Sequence, residues 1–248
     1  MIVIPMAGLS SRFYKSGYSI PKYMLEAQGK TLFAHSVGSF RKYFNNTPFL
    51  FIVRDTLNSC DFITQQASAM GIINYSIVTL DQETRGQAET VTLGLIDWDN
   101  KRSDAIDSPI TIFNIDTFRP DFVFPNLEEL DDGYLEVFRG SGENWSFVKP
   151  LNNSSTEVIE TAEKRQISDL CCTGLYHFKS FKAYLEVYFE YAAKPKSEWE
   201  KGEIYVAPLY NLLLKRGGKI HYDLIGREQV IFCGVPEEYI AFKGDRQL

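Results

Sequence analysis

The chain has 248 residues, 44% of them hydrophobic, 23% charged and 14% aromatic. That composition argues against a disordered or low-complexity protein, and the length suits one substantial domain with a large core. Lys and Arg total 26 against 32 Asp and Glu, a formal charge of -6. A non-specific nucleic-acid binder, which needs a basic surface, is disfavoured, and an anionic substrate must be met by locally placed cations.

In chain order, residues 2–6, 49–53, 75–80 and 110–115 are short, rich in β-branched or aromatic side chains and bounded by polar or Gly/Pro stretches, so they are expected as buried strands. Between them, Phe33, Val37, Phe40 and Phe44 recur at helical spacing behind Thr31 as a cap. Ala88, Val91 and Leu95 do the same after Gly86. Strands alternating with helices predict a doubly wound α/β sheet that binds ligands in the loops beyond its carboxyl ends. From about Asp121 the pattern shifts to shorter strands at 135–138, 147–149, 157–159 and 173–178. Helices follow at 181–193, with Leu185 and Phe189 facing inward, and at 206–216, stopped by Gly217-Gly218. No repeat or flexible linker interrupts the chain, so 1–248 is read as one domain whose second half extends the same sheet.

The opening M-I-V-I-P-M-A-G lacks a basic leader and reads as a first strand rather than a signal peptide, and no apolar run approaches ~20 residues, so no membrane span is expected. Cys60, Cys171, Cys172 and Cys233 show no C-x-x-C spacing and are read as reduced residues of a cytoplasmic protein. His35, His177 and His221 are too scattered to form a metal site and are read as structural.

The first strand runs into P-M-A-G-L-S-S-R-F at 5–13. Small residues there let backbone N–H groups approach a phosphate, and Arg12 adds a permanent planar cation; the same stretch also reads as an ordinary tight turn. Nine residues later Pro21 fixes the chain entering Lys22, which aims that ammonium. No Ser-His-Asp, Cys-His or clustered-histidine arrangement occurs.

M-A-G-L-S-S-R-F, P-K-Y-M-L and G-K-T-L-F together resemble the opening signature of the sugar-nucleotidyltransferase family, which includes nucleoside-diphosphate-sugar pyrophosphorylases and small cytidylyltransferases of the phosphocholine type. The resemblance continues through T-R-G-Q-A-E-T (84–90), N-I-D (114–116), A-E-K-R-Q-I-S with T-G-L-Y (162–176), G-E-I-Y-V-A-P-L-Y-N (202–211) and C-G-V-P-E-E-Y (233–239). It implies a Rossmann-like, mixed-sheet, three-layer α/β/α fold, with a nucleotide-binding half at 1–120 and an acceptor-binding half at 121–248.

The resemblance further implies that Ala7, Gly8, Ser10, Ser11 and Arg12 hold a nucleoside triphosphate, that Lys22 reaches its α-phosphate, and that Gln87 reads the base. Ser10 stands where the family has glycine. Asp116 becomes the Mg2+ ligand, Asn114 replaces the first acid of the D-x-D seen in some relatives, and Glu203 is a weak substitute for a missing second acid. Lys149, Glu163, Lys164 and Gly174 fall on the acceptor side, and Trp145 is a candidate wall for a cationic acceptor. The implied reaction joins a nucleoside triphosphate (CTP favoured slightly over UTP or dTTP) to a small phosphorylated acceptor, releasing pyrophosphate. Self-association into a homo-oligomer is left open. A glycosyltransferase using a nucleotide-sugar and a non-catalytic nucleotide-sensing subunit are the rival readings.

Overall fold

The structure, a computed structural model, describes residues 1–101 and 107–244. Its first part contains strands β1 (Ile2–Pro5), β2 (Glu26–Ala27), β3 (Lys30–Thr31), β4 (Phe49–Val53), β5 (Tyr75–Thr79), β6 (Ile110–Phe113) and β7 (Thr117–Phe118). Helices α1 (Ser11–Lys15), α2 (Leu32–Gly38), α3 (Ser59–Met70) and α4 (Gln87–Asn100) connect them. The later part supplies β8 (Gly133–Arg139), β9 (Ser146–Pro150), β10 (Val158–Glu163), β11 (Leu170–Phe178), β12 (Ile220–Ile225) and β13 (Ile231–Phe232). With these go α5 (Phe181–Ala192), α6 (Tyr210–Lys215) and α7 (Pro236–Gly244).

The central sheet runs β10-β9-β11-β6-β1-β4-β5, with β8 also pairing β11 and β12 pairing β8. Strands β6, β1, β4 and β5 are parallel, whereas β11 lies antiparallel to β6. Alternation along the strands builds a core on each face. Ile2, Ile4, Phe49, Phe51 and Val53 pack against Phe33 and Val37 of α2 and Ile63 of α3. Val3, Leu50 and Ile52 pack against Val91 and Leu95 of α4, with Tyr184 and Val187 of α5 in the same cluster. Helices on both faces make three layers, as the fold expectation requires.

Several boundaries differ from the expectation. Helix α2 ends at Gly38 and a 3-10 turn at Arg41–Tyr43 follows, although Phe40 and Phe44 stay buried. The strand expected at 157–159 extends to Glu163. Phe189, expected inward, is 55% exposed, and Leu185 is only partly buried. The inner face of α5 is instead Phe181, Tyr184, Val187, Tyr188 and Tyr191. Tyrosine can occupy that face because its hydroxyls find partners: Tyr184 donates to the Ala88 carbonyl at 2.7 Å, and Tyr191 accepts the Glu200 N–H at 3.1 Å.

All four cysteines are free, three of them buried. His35 bonds the Ala27 carbonyl, His177 the Thr111 hydroxyl, and His221 Asp131 and Thr156. Among the described residues no helix is long and apolar enough to cross a membrane.

Candidate active site

Strand β1 is extended past Pro5 by the Met6 N–H bond to Ile52 O at 2.7 Å, after which the chain leaves the sheet through Ala7, Gly8, Leu9 and Ser10. A side chain added at Gly8 would meet nothing within 4 Å, so the protein itself leaves the space before this loop open. Ser10 adopts the left-handed conformation (φ 51°), and its hydroxyl accepts the Lys22 N–H at 3.2 Å. That bond ties the loop to the Pro21-Lys22 turn. Proline sets φ at −55° there and a 3-10 turn starts at Lys22, so the side chain is directed across the sheet end.

Lys22 Nζ lies 2.5 Å from Asp116 Oδ2, an ion pair with side-chain exposures of 20% and 24%. Asp116 follows β6, next to β1 in the sheet, so two neighbouring carboxyl ends supply the two charges. Around them is a cavity of about 190 Å³ lined by Pro5, Gly8, Ser10, Lys22, Gln87, Asn114 and Asp116, among others. Ala7 and Ser11 belong to the same loop and the start of α1 without lining the cavity, and Arg12 is exposed on α1 and makes no ion pair among the described residues.

Gln87 opens α4 and donates from Nε2 to Asn114 Oδ1 at 2.5 Å. Gly86, at φ 140°, makes this junction: a Cβ there would stand 2.5 Å from the Ile204 carbonyl. The close approach lets Ile204 bond Arg85 and Ala88 at 2.8 and 3.0 Å, joining G-E-I-Y to T-R-G-Q-A. Asn114 is held from below, its N–H donating to Gly174 O at 3.1 Å. Gly174 has φ 96°, and a Cβ there would come within 2.4 Å of the Asn114 amide nitrogen. It sits in a register shift of β11 between Cys172 and Tyr176. Expected on the acceptor side, Gly174 abuts Asn114, one of the residues that line the cavity.

The remaining residues gather elsewhere. Glu163 ends β10, is 6% exposed, and accepts the hydroxyl of Ser146, whose oxygen is also 3.3 Å from Tyr176 OH. Burial raises its pKa, with Ser146 and Lys164 opposing that rise and Glu200 and Glu203 adding to it. Lys164 takes a left-handed backbone (φ 52°), and its Nζ meets Tyr205 OH at 2.5 Å while lying 4.4 Å from that ring's centroid. Lys149 is exposed and 4.0 Å from Glu160. It alternates with Ser146 along β9, which puts the two on opposite faces, so nothing brings Lys149 to the Glu163 side. Glu203 is exposed, acts electrostatically on Glu163 and Tyr205, and does not line the Asp116 cavity. Trp145 packs against Phe138 and Phe232, with ring centroids 5.1 and 4.6 Å apart.

Three arrangements had no counterpart in the sequence reading. Tyr205 holds Lys164. Gln87 and Gly174 converge on Asn114. The C-terminal turn closes over Asp116: Cys233 N–H donates to Asp116 O at 2.8 Å, and Glu238 accepts the Gly234 and Val235 N–H groups at 2.8 and 3.2 Å. The signal for that turn was G-V-P-E-E, proline at the first helical position with a glutamate two residues on.

No family model matches the chain, and no curated protein does. Among solved structures, the nucleoside-diphosphate-sugar pyrophosphorylase from Vibrio cholerae RC9 is 60% identical, with a TM-score of 0.94 over 98% of this chain and 99% of that one. The chain belongs to the nucleoside-diphosphate-sugar pyrophosphorylase family. It is therefore an enzyme of the nucleotidyltransferase class. More distant members of the fold include UDP-glucose pyrophosphorylase from Acinetobacter baumannii, 15% identical with a TM-score of 0.67 over 97% of this chain and 90% of that one. Another is the inositol-1-phosphate CTP transferase from T. maritima, 15% identical with a TM-score of 0.69 over 100% and 97%. At those identities the likeness speaks for the fold alone.

Proposed function

We propose that the protein transfers a nucleotidyl group from a nucleoside triphosphate, CTP by preference, to a sugar phosphate or another small phosphorylated acceptor, with release of pyrophosphate. The observation that carries this reading is the Lys22–Asp116 pair at the open mouth of β1 and β6, within a chain 60% identical to the Vibrio cholerae pyrophosphorylase. In this reading residues 1–120 carry the nucleotide half and 121–248 the acceptor half.

The acceptor phosphate is its own nucleophile: with a second pKa of about 6, it is largely ionised near neutral pH, so no general base is needed. The barrier lies in bringing two polyanions together, and fixed cations lower it. Lys22 is held by Asp116 until a phosphate competes for its ammonium, which keeps the cation oriented and partly desolvated beforehand. Ser10 and the open backbone at Gly8 meet the phosphate chain, with Arg12 as an unpaired cation above them. Gln87, its amide committed on one side to Asn114, offers its other side to the base. Lys164, steadied by Tyr205, meets the acceptor phosphate, while Glu163 accepts from an acceptor hydroxyl.

The donors at Asp116 fit Mg2+: a hard carboxylate beside a cavity open to substrate phosphates, which suits an ion content with one or two protein carboxylates. When bound there the ion would neutralise charge on the triphosphate. Glu203, the substitute second acid of the family resemblance, lies outside the Asp116 cavity, so Asp116 is the one protein carboxylate in this reading.

The test is pyrophosphate release from CTP, UTP and dTTP over a panel of sugar phosphates, phosphocholine and phospho-amino acids, with Mg2+ titrated. CTP-dependent release that disappears in Asp116→Asn is expected. Cleavage of a nucleotide-sugar without pyrophosphate release would replace the proposal by a glycosyltransferase, and nucleotide binding without turnover over the whole panel by a sensor.

A further inference from the structure

Behind Asp116 lies a buried ion pair with no part in the chemistry above. Arg119, 6% exposed, donates through Nε to both oxygens of Glu136, 1% exposed, at 2.8 and 2.9 Å. Its Nη1 donates to Gln229 O at 2.7 Å, and its backbone N–H to the Ser39 hydroxyl at 2.9 Å. Glu136 also accepts the Thr173 hydroxyl at 2.9 Å, and the Thr173 carbonyl accepts the Thr117 hydroxyl at 3.0 Å. In register beside Glu136 on β12 stands Asp223, a second carboxylate in the field of Arg119.

These bonds converge on the segment that carries the cavity's polar groups. Thr117 immediately follows Asp116, and Thr173 immediately precedes the glycine that abuts Asn114. Residues just after α2, strand β8, the register shift of β11 and the stretch before β13 are thereby tied to the Arg119–Glu136 pair, through the Arg119 backbone, its guanidinium and the Glu136 carboxylate. A pair this deeply buried is a poor device for stability, because desolvating two charges costs several kcal/mol and apolar replacements are often neutral or stabilising. Its return lies in geometry: a planar guanidinium whose Nε is shared between both Glu136 oxygens and whose Nη1 is bonded to Gln229 O fixes the segments it joins in one arrangement.

We propose that Arg119 and Glu136 are positioning residues, a clamp that fixes Asn114 and Asp116 at the angle nucleotidyl transfer requires. The proposal rests on the reading of Asp116 given above. Both act through the 114–117 segment and touch no substrate.

The test replaces the pair by apolar side chains of similar bulk, Arg119→Met with Glu136→Leu, leaving Lys22, Gln87 and Asp116 in place. Melting temperature is expected at or near the wild-type value, while turnover and Mn2+ affinity, read by electron paramagnetic resonance with CTP, UTP and dTTP in turn, fall roughly 10- to 100-fold, the usual range for outer-shell partners. Acceptor KM is expected to hold. Thr173→Val removes a single bond to Glu136 and serves if the double variant does not fold; it is expected to shift turnover and Mn2+ affinity the same way, less strongly. Wild-type turnover and Mn2+ affinity in whichever variant folds would overturn the clamp. Asp116→Asn is the control: if it keeps wild-type Mn2+ affinity, the metal reading of Asp116 fails, and the turnover of the clamp variants still decides the clamp.

Discussion

Lys22 and Asp116 stand 94 residues apart in sequence, and their charged atoms are 2.5 Å apart in space. Both side chains keep about a fifth of their surface in water, so the pair adds little to stability, on the order of 1 kcal/mol or less. Lys22→Ala should therefore fold normally. Removing one electrostatic donor to the transition state is expected to cost roughly 2–4 kcal/mol, a loss of about 30- to 1,000-fold in turnover. Pyrophosphate release alongside a melting curve checks both halves of this prediction, and wild-type turnover would remove Lys22 from the mechanism.

Gly174→Ala should damage fold and activity together. A φ of 96° costs a non-glycine residue about 1–3 kcal/mol, before the new Cβ meets the Asn114 amide 2.4 Å away. Urea unfolding should show a loss within or above that range. Turnover should fall further than the change in folded fraction explains, because Asn114 must shift and Gln87 with it.

Stability should decline below about pH 6.5 because of His177. Burial, helped by the nearby N-terminal ammonium, lowers its pKa from 6.5 to about 4, so the folded protein keeps the ring neutral. Below pH 6.5 the unfolded chain takes up a proton that the native state refuses, and the contribution present above that pH is lost as pH falls towards 4. The full effect amounts to about 3 kcal/mol. Chemical denaturation between pH 7 and 4.5 should show this slope, and His177→Gln should flatten it.

Lys164→Ala should raise acceptor KM by about 10- to 100-fold, the equivalent of one charge-assisted hydrogen bond, with little change in the KM for nucleotide. Tyr205→Phe keeps the ring beneath the ammonium and removes only the 2.5 Å bond, so a smaller rise of the same kind is expected. Initial-rate kinetics varying each substrate separately distinguishes these outcomes from a general loss of folded enzyme.

Much of the parallel part of the sheet was legible in the sequence. Ile2–Pro5, Phe49–Val53 and Ile110–Phe113 are runs of β-branched and aromatic residues buried on both faces, a pattern that short helices rarely carry. The loop after β1 and the acid after β6 stand at the carboxyl ends of that frame, whereas the roles expected of Pro21-Lys22 and Asp116 came from the family resemblance. Less was legible where one residue decides the direction of the next. Lys164 departs from strand geometry through its positive φ, and Gly174 faces Asn114 because β11 changes register there. On α5 the inward face is carried by Tyr184, Tyr188 and Tyr191, whose hydroxyls resemble surface chemistry in a sequence, whereas apolar Phe189 faces outward. The Arg119–Glu136 bond joins a residue just after β7 to one on β8, which no local pattern links.

Strand β11 comes from late in the chain yet lies directly against β6, so the strands behind the two proposed substrate regions belong to one hydrogen-bonded sheet. In that proposal, bringing the two regions together by a hinge, the way paired lobes close on a ligand, would break ladder bonds of the shared sheet. The last few ångströms between two repelling anions must then be covered by side-chain reach and by the loop after β1. The same continuity means that a fragment ending near residue 120 would leave one flank of β6 as a bare edge prone to self-association.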